Sequence, residues 1–175
     1  YSHEPTKLKE NLFAVDFIGE GNGWAVGNFG RVLHTADGGR SWEYQESGVE
    51  WPLVDVKFVD SYRGWAVGYG PTIIHTEDGG KSWRKQESPE DIYLMGVDFF
   101  NEKEGWAVGE FGTIMRTEDG GERWEVQISG DDAILYSLDF FDDKVGWAVG
   151  EFGRVYHTTD GGESWETQES GVENV

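Results

Sequence analysis

Eight of the nine tryptophans in this chain of 175 residues lie on two ladders that share one spacing. Each ladder advances by 41 residues per step without insertion or deletion, through Trp24, Trp65, Trp106 and Trp147 in the first and Trp42, Trp83, Trp124 and Trp165 in the second. Self-similarity at a fixed period of this size is typical of stacked supersecondary units, because one such unit cannot bury its apolar surface alone. The chain is therefore predicted to contain four copies of one unit.

Each copy reads as four short strands separated by turns. In the first copy an almost wholly apolar segment spans 12–18, Gly-Trp-Ala-Val-Gly occupies 23–27, a third strand spans 31–35, and a polar fourth strand starts at Trp42. The Asn-Phe-Gly and Asp-Gly-Gly turns contain glycine, which adopts the positive φ that tight hairpins need. No segment shows helical periodicity. Four strands in a repeat of about 40 to 45 residues predict the blade of a β-propeller.

The hairpin between the third and fourth strands carries an Asp box, the pattern Ser/Thr-x-Asp-x-Gly-x-x-Trp. The aspartate of such a turn can accept hydrogen bonds from the turn itself, and the tryptophan folds back over the hairpin. Because the motif recurs in every copy, we interpret it as a structural staple rather than a catalytic or metal site. Its residues are Asp37, Asp78, Asp119 and Asp160 with Trp42, Trp83, Trp124 and Trp165.

The expected fold is one all-β propeller domain of four 41-residue, four-stranded antiparallel blades with Asp-box hairpins. An N-terminal extension is expected at residues 1–10, and the blades are expected at 11–51, 52–92, 93–133 and 134–175. Three arrangements remain open: a closed ring of four, two chains that pair into a ring of eight, and a part of a longer propeller. An open stack is disfavoured because it would expose apolar blade faces, and a ring of four is favoured because the four copies look self-contained.

The amino-acid composition excludes several kinds of binding partner and several kinds of catalytic or metal site. The net charge is −20, so neither nucleic acid nor an anionic membrane surface is an expected partner, because both attract a positive surface. The absence of cysteine excludes disulfides, thiolate metal sites and cysteine nucleophiles. No apolar run is long enough to span a bilayer. The chain starts at Tyr1 rather than methionine, so it is expected to be either a processed, extracytoplasmic product or an excised segment.

Together with Gly-Trp-Ala-Val-Gly and the third strand, the Asp boxes resemble the photosystem II stability/assembly factor family over roughly residues 11–171. The resemblance implies a secreted or lumenal propeller that binds a protein partner and scaffolds assembly of a membrane complex. Family members resemble seven-bladed propellers, and their photosynthetic members are associated with a basic, arginine-bearing surface. This chain has four repeats and is acidic, although the third-strand arginines Arg31 and Arg154 do recur in two copies.

Candidate partner-binding residues lie in the turns between second and third strands and in the links between blades. These segments are expected on one face of the propeller, and aromatic side chains on a polar rim are typical of protein-interaction surfaces. The candidates are Trp51, Tyr69, Phe111, Phe152, Phe29, Tyr93, Arg31 and Arg154. Trp51 lies off both ladders, and Tyr69-Gly70-Pro71 breaks the x-Phe-Gly pattern of the other turns. An alternative interpretation is that the phenylalanines fill gaps between blades.

Two polar positions recur as well. The third strand carries His34, His75, Arg116 and His157 at one equivalent position, for which hydrogen bonding between blades is favoured over a shared metal. The first strand carries Asp16, Lys57, Asp98 and Asp139, for which a solvated channel or an inter-blade salt bridge through Lys57 is expected.

The favoured function is a non-catalytic scaffold that binds a protein partner without a cofactor or metal. Catalysis would need convergent groups, whereas nearly every acid here is repeat-equivalent or lies on a polar turn, with Asp55 and Asp91 among the exceptions. Sialidases, xyloglucan-cleaving glycosidases and sortilin-type receptors also carry Asp boxes, so a carbohydrate-binding or carbohydrate-cleaving propeller is one alternative. A structural subunit of a surface assembly is another, and self-association that completes or stacks propellers remains open.

Overall fold

The computed structural model describes residues 10–172. The predicted extension at residues 1–10 therefore lies outside the described residues except for Glu10, and so do residues 173–175 of the predicted fourth blade. The described chain folds into four antiparallel sheets of four strands, and each sheet keeps its strands in chain order. The predicted all-β propeller architecture with four four-stranded blades is confirmed.

The strands have closely similar bounds in the four blades. Blade 1 contains β1 Leu12–Ile18, β2 Asn22–Gly27, β3 Val32–Thr35 and β4 Glu43–Gln45. Blade 2 contains β5 Leu53–Phe58, β6 Gly64–Gly68, β7 Thr72–Thr76 and β8 Arg84–Gln86. Blade 3 contains β9 Leu94–Phe99, β10 Gly105–Gly109, β11 Ile114–Thr117 and β12 Glu125–Ile128. Blade 4 contains β13 Leu135–Phe140, β14 Gly146–Gly150, β15 Val155–Thr158 and β16 Glu166–Thr167.

The two glycines of Gly-Trp-Ala-Val-Gly make room for close packing inside each blade. A Cβ on Gly23 would lie 2.6 Å from the ring of Phe17, and one on Gly27 would overlap the carbonyl oxygen of Asn11. The equivalent glycines of the other three blades meet the same obstacles. Any larger residue would push the first strand away from the second, so the motif is explained by steric fit.

The apolar core lies between neighbouring blades. Trp24 of blade 1 stacks on Phe58 of blade 2 with ring centroids 3.6 Å apart, and its indole N–H donates to the carbonyl oxygen of Gly79 at 3.1 Å. The same stack and hydrogen bond recur at the next two interfaces, through Trp65, Phe99 and Gly120, and through Trp106, Phe140 and Gly161. Each of the three cores thus combines the second and third strands of one blade with the next blade.

Each Asp box closes its own hairpin. Asp37 Oδ1 accepts hydrogen bonds from the Ser41 backbone N–H at 2.9 Å and from the Thr35 hydroxyl at 2.8 Å, and its Oδ2 accepts one from the Ser41 hydroxyl at 2.6 Å. These hydrogen bonds, chiefly those from Ser41, lower the pKa of Asp37 to about 2. The tryptophans of the boxes meet first-strand phenylalanines of their own blades edge to face, in the pairs Trp42–Phe17, Trp83–Phe58, Trp124–Phe99 and Trp165–Phe140.

Carboxylates on the first strands connect each blade to the next. Asp16 Oδ2 accepts a hydrogen bond from the backbone N–H of Phe58 at 2.6 Å, and Asp98 Oδ2 accepts one from Phe140 at 2.8 Å. An edge strand would otherwise leave these N–H groups without a protein partner. The first-strand acids therefore have a structural use.

Blade 2 also forms a carboxylate hydrogen bond to the backbone of the next blade, but it uses a different residue. Lys57 replaces the aspartate of the other first strands, and Asp55, two residues earlier, accepts a hydrogen bond from the backbone N–H of Val97 at 2.9 Å. Lys57 Nζ forms an ion pair with Asp98 Oδ1 at 2.8 Å. The predicted inter-blade salt bridge through Lys57 is confirmed.

The four blades form an open arc. The first strands pack β1 on β5, β5 on β9 and β9 on β13, whereas within residues 10–172 β1 does not pack on β13. Three copies of one interface turn the chain through less than a full circle, so the outer faces of blades 1 and 4 stay uncovered. The closed ring of four that the sequence favoured is therefore not formed.

Removal of one ladder indole should destabilise the protein strongly. Trp65 is completely buried, so we expect Trp65→Ala to lower the free energy of unfolding by about 3–5 kcal/mol. Tyr62 is exposed in the nearby β5–β6 turn, so Tyr62→Ala should change it by less than about 0.5 kcal/mol. Urea unfolding followed by circular dichroism measures both. Equal losses in the two variants would contradict an inter-blade core.

The Asp boxes should make stability fall in acid. The pKa values of Asp37 and Asp160 are about 2, against 3.8 for an ordinary aspartate, so the folded state binds fewer protons than the unfolded state between these values. Their stabilisation is therefore present above about pH 4 and lost as the pH falls toward 2. We expect Asp37→Asn to lower the melting temperature at pH 7 and to flatten its pH dependence between pH 4 and 2.

The matched control is Asp132→Asn, which removes the charge of an exposed aspartate outside the boxes. This variant should keep the melting temperature and the acid slope of the parent. If both asparagine variants changed the slope alike, the effect would come from net charge and not from the box.

Candidate protein-binding face

The turns between second and third strands and the links between blades lie on one face. In blade 1, Gly30 lies against Ser47 and Val49 of the link to blade 2. In blade 3, the backbone N–H of Asp131, in the link to blade 4, donates to the carbonyl oxygen of Phe111 at 3.0 Å. We call this surface the turn face, which comprises residues 28–31, 47–52, 69–72, 88–93, 110–113, 129–134 and 151–154.

Three phenylalanines project from the turn face under backbone strain. Phe29, Phe111 and Phe152 have φ values of 57°, 58° and 56°, in the left-handed region that costs a residue other than glycine roughly 1–2 kcal/mol. All three side chains are exposed, so the alternative that they fill gaps between blades is wrong. Strain that is retained at exposed aromatic residues is a reason to look for function there.

Blade 2 builds its turn differently. Gly70 occupies the place of the phenylalanine, and the indole of Trp51 lies over it, so a Cβ on Gly70 would come within 3.0 Å of that ring. The adjacent Tyr69 stacks on Tyr93 of blade 3, with ring centroids 4.6 Å apart and an interplanar angle of 8°. The two irregularities noted in the sequence are therefore one feature. We call Trp51, Tyr69 and Tyr93 the aromatic cluster.

Acidic residues are close to the residues of the aromatic cluster in the chain. The backbone N–H of Tyr93 donates to Glu110 Oε2 at 2.9 Å, and Glu50, Glu90 and Asp91 are exposed in the adjoining links. A surface with a flat aromatic centre and a negative rim favours a ligand that has apolar groups and positive charge.

The two arginine candidates are paired with acids. Arg31 Nε and Nη2 donate to Glu10 at 2.5 and 2.6 Å, and Arg154 Nε donates to Asp131 Oδ2 at 2.7 Å. The hydrogen bond from Arg154, followed by that from the Tyr156 hydroxyl, lowers the pKa of Asp131 to about 2. The structure thus places both arginines at blade links, away from the aromatic cluster and already engaged. Glu10 and Asp131 were not singled out in the sequence, because neither belongs to a repeated motif.

Comparison with known proteins agrees with this architecture. The family model described as photosynthesis system II assembly factor YCF48 matches residues 3–87, 45–131 and 83–170. The chain belongs to this family. A search of the curated proteins finds no match.

Several solved structures have the same fold as this chain, although their sequence identity to it is low. YCF48 bound to D1 peptide has a TM-score of 0.65 and 17% identity, over 91% of this chain and 82% of that chain. YCF48 from Cyanidioschyzon merolae has a TM-score of 0.61 and 18% identity, over 94% and 86%. An ancestral GH74 enzyme has a TM-score of 0.74 and 16% identity, over 88% of this chain but 23% of the enzyme. At these identities the likeness concerns the fold.

The third-strand histidines have a different place from the one expected. His34, His75 and His157 each stack on the ladder tryptophan of their own blade at 4.6 to 5.0 Å, and Arg116 lies over Trp106 at 5.8 Å. Burial lowers the pKa of His75, and neither of its ring nitrogens has a hydrogen-bond partner in the described structure. The expected hydrogen bonding between blades is therefore wrong, and the neutral ring serves as a flat packing surface.

The first-strand acids are oriented toward backbone groups. Burial raises the pKa of Asp55 to about 6, yet its two oxygens accept hydrogen bonds from the backbone N–H groups of Val56 and Val97 at 2.9 Å. Among residues 10–172, no group of three His, Cys, Asp or Glu side chains is arranged to hold a metal ion. This part of the chain also contains no helix with the length and hydrophobicity needed to cross a bilayer.

Alanine at Gly70 should disturb Trp51. Gly70 and Gly48 have φ values of 65° and 75°, so alanine at either position pays the left-handed penalty of roughly 1–2 kcal/mol, but only the methyl of Gly70→Ala meets the indole. We therefore expect Gly70→Ala to lower the unfolding free energy more than Gly48→Ala does. In a Trp51→Ala background this excess should vanish, as a double-mutant cycle in urea would show. An excess that persisted would mean that Trp51 does not lie over Gly70.

Proposed function

We propose that this protein is a non-catalytic, extracytoplasmic scaffold that binds an extended segment of a partner protein on the turn face. The main observation that supports this binding site is the aromatic cluster. Blade 2 departs from the repeat at the preceding link and at the turn together: Trp51 lies over Gly70 of that turn, and Tyr69 stacks on Tyr93 of blade 3. Packing symmetry does not require them, since the equivalents of Trp51 are Glu10, Ile92 and Ala133.

The chemistry of the cluster fits a peptide. Tyrosine and tryptophan provide rigid apolar area together with a polar group, and they are enriched where interfaces concentrate binding energy. Trp51 and Tyr93 are exposed, while Tyr69 is held in place by its stack on Tyr93. Little side-chain entropy remains to be lost on binding, because the stack orders two rings in advance.

Charge indicates the composition of the bound segment. The chain carries 34 acidic and 14 basic residues, and the rim of the cluster contains Glu50, Glu90, Asp91 and Glu110. A partner segment with lysine or arginine beside apolar residues would be attracted and oriented by this rim. Its affinity should fall as salt rises, since exposed charges are screened.

Family membership supports the class of function. A structural relative is YCF48 bound to D1 peptide, so a propeller of this family accepts a peptide ligand. We extend that behaviour to this chain as binding of a protein segment, with Phe29, Phe111 and Phe152 as further contacts along the arc. The family also supports the extracytoplasmic placement. Arg31 and Arg154 would contribute at the edges through ion pairs already formed within the chain.

A random peptide library displayed on phage, with the wild-type protein as bait, tests the proposal. We expect basic and apolar peptides to be enriched, and calorimetry should show Trp51→Ala and Tyr69→Ala weakening the enriched peptides by about tenfold or more, as for residues that contribute above about 1.4 kcal/mol. Tyr62→Ala, an exposed aromatic outside the turn face, is the matched control and should bind like wild type. Unchanged binding by both cluster variants would contradict the assigned site.

The same protein should be tested on a glycan array and with xyloglucan as a hydrolysis substrate. We expect neither binding nor turnover, because the raised-pKa carboxylate of Asp55 is occupied by backbone N–H groups. Hydrolysis would assign the fold to a glycosidase and contradict the scaffold.

A further inference from the structure

The carboxylate that joins blades 2 and 3 lies nearer the turn face than those at the other two boundaries. At those boundaries the aspartate accepts a hydrogen bond from the backbone N–H of a stacked phenylalanine, Phe58 or Phe140. Asp55 accepts one instead from Val97, two residues before the equivalent Phe99. Two residues of an extended strand span roughly 7 Å, so the connection at this boundary is displaced by that distance toward the turn face.

Asp55 lies between the two segments that carry the stacked tyrosines of the aromatic cluster. It pairs with Val67 across β5 and β6, and β6 ends immediately before Tyr69. Its side chain is hydrogen-bonded to Val97 of β9, the strand that begins immediately after Tyr93. The distance between β5 and β9 therefore determines how the two tyrosine rings meet in their stack.

Asp55 has no cationic partner among the ion pairs that residues 10–172 form. Lys57, on the same strand, pairs with Asp98. Burial raises the pKa of Asp55 to about 6, and the negative charges of Asp98 and Asp16 on the neighbouring first strands raise this pKa too, whereas the two backbone hydrogen bonds lower it. The closed boundary therefore favours the protonated carboxyl group, because a neutral group needs no counter-ion.

We propose that Asp55 is a positioning residue for the aromatic cluster, and that its protonation makes the cluster bind its peptide more tightly in mild acid than at neutral pH. Protonated Asp55 still accepts the hydrogen bond from Val97, so it holds β5 against β9 and keeps the tyrosines stacked. Ionised Asp55 is stabilised by water, which it reaches when the two strands separate. The inference rests on the proposed function, since it assigns a regulation to that binding site.

The direction of the pH effect follows from the pKa of Asp55 in the closed and opened boundary. This pKa is about 6 when the boundary is closed, against 3.8 for an ordinary aspartate, so the closed boundary binds more protons between these values. The stabilisation is therefore full below about pH 4 and is lost as the pH rises through about 6. Opening should be about tenfold rarer at pH 5 than at pH 7.5, because each pH unit below the raised pKa changes the equilibrium about tenfold.

Hydrogen exchange followed by NMR, corrected for the intrinsic effect of pH on exchange, tests the positioning without a ligand. We expect the Val97 amide to be protected about tenfold more at pH 5 than at pH 7.5, and the ring signals of Tyr69 and Tyr93 to shift over the same range. Asp55→Asn, which is neutral at every pH, should abolish both changes. Asp143→Asn, which removes an exposed charge from the β13–β14 turn, should keep them. Val97 protection that ignores pH, or an Asp55→Asn variant that keeps the changes, would overturn the inference.

Calorimetry with a histidine-free peptide from the phage library tests the regulation. Its affinity should rise by about three- to tenfold from pH 7.5 to pH 5 for the wild type and for Asp143→Asn, but not for Asp55→Asn. Asp55→Ser, which introduces the residue of the equivalent position in blade 4, should behave like Asp55→Asn and so separates loss of charge from distortion by the amide.

The outcomes distinguish this inference from the proposed function. Peptide binding that requires Trp51 but does not change with pH would keep the proposed function and overturn the regulation. If no peptide is enriched, the proposed function fails and the regulation fails with it, whereas the exchange measurement still decides whether Asp55 positions the two tyrosines.

Discussion

The rest of the structure depends on the stack of a ladder tryptophan on the phenylalanine of the next blade. A single blade has too little apolar surface in contact with itself to be stable, and this stack joins two blades while its indole N–H fixes their relative position through a carbonyl of the next Asp box. The contact is directional, since a blade presents tryptophan on one side and phenylalanine on the other. A series of such blades therefore has two different ends, which within residues 10–172 are the faces of blades 1 and 4.

The need to join blades also distinguishes acidic residues that stabilise the fold from those that are available to bind a partner. The Asp-box aspartates accept hydrogen bonds from their own turns, and the first-strand acids of blades 1 to 3 accept backbone N–H groups of the next blade, so these carboxylates are already committed to the fold. The strong acidity of the chain thus has a structural component within the blades, and the exposed acids of the links form a separate component around the aromatic cluster.

The sequence predicts the blade well because its information is local. Strand order, the Gly-Trp-Ala-Val-Gly fit and the box turns repeat with every 41 residues, and each depends on neighbours in the chain. Closure could not be predicted, because it depends on the rotation accumulated over several interfaces. The stacking of the histidines on tryptophan was missed since it depends on side-chain orientation. Trp51 and Gly70 were each recognised as irregular, but their separation along the chain hid their contact.

Blade 2 shows why two departures from the repeat differ in what they indicate about function. On its first strand, Lys57 breaks the aspartate ladder, yet Asp55 takes over the hydrogen bond to the next blade and Lys57 pairs with Asp98. That departure is compensated, so it preserves the interface. The departure at Trp51, Tyr69 and Gly70 is also internally consistent, but it restores no contact that the other blades make; instead it adds exposed aromatic surface. A change that the scaffold neither requires nor repairs is best explained by what binds to it, and for this reason the turn of blade 2, with the aromatic residues beside it, is the place where function can be separated from architecture.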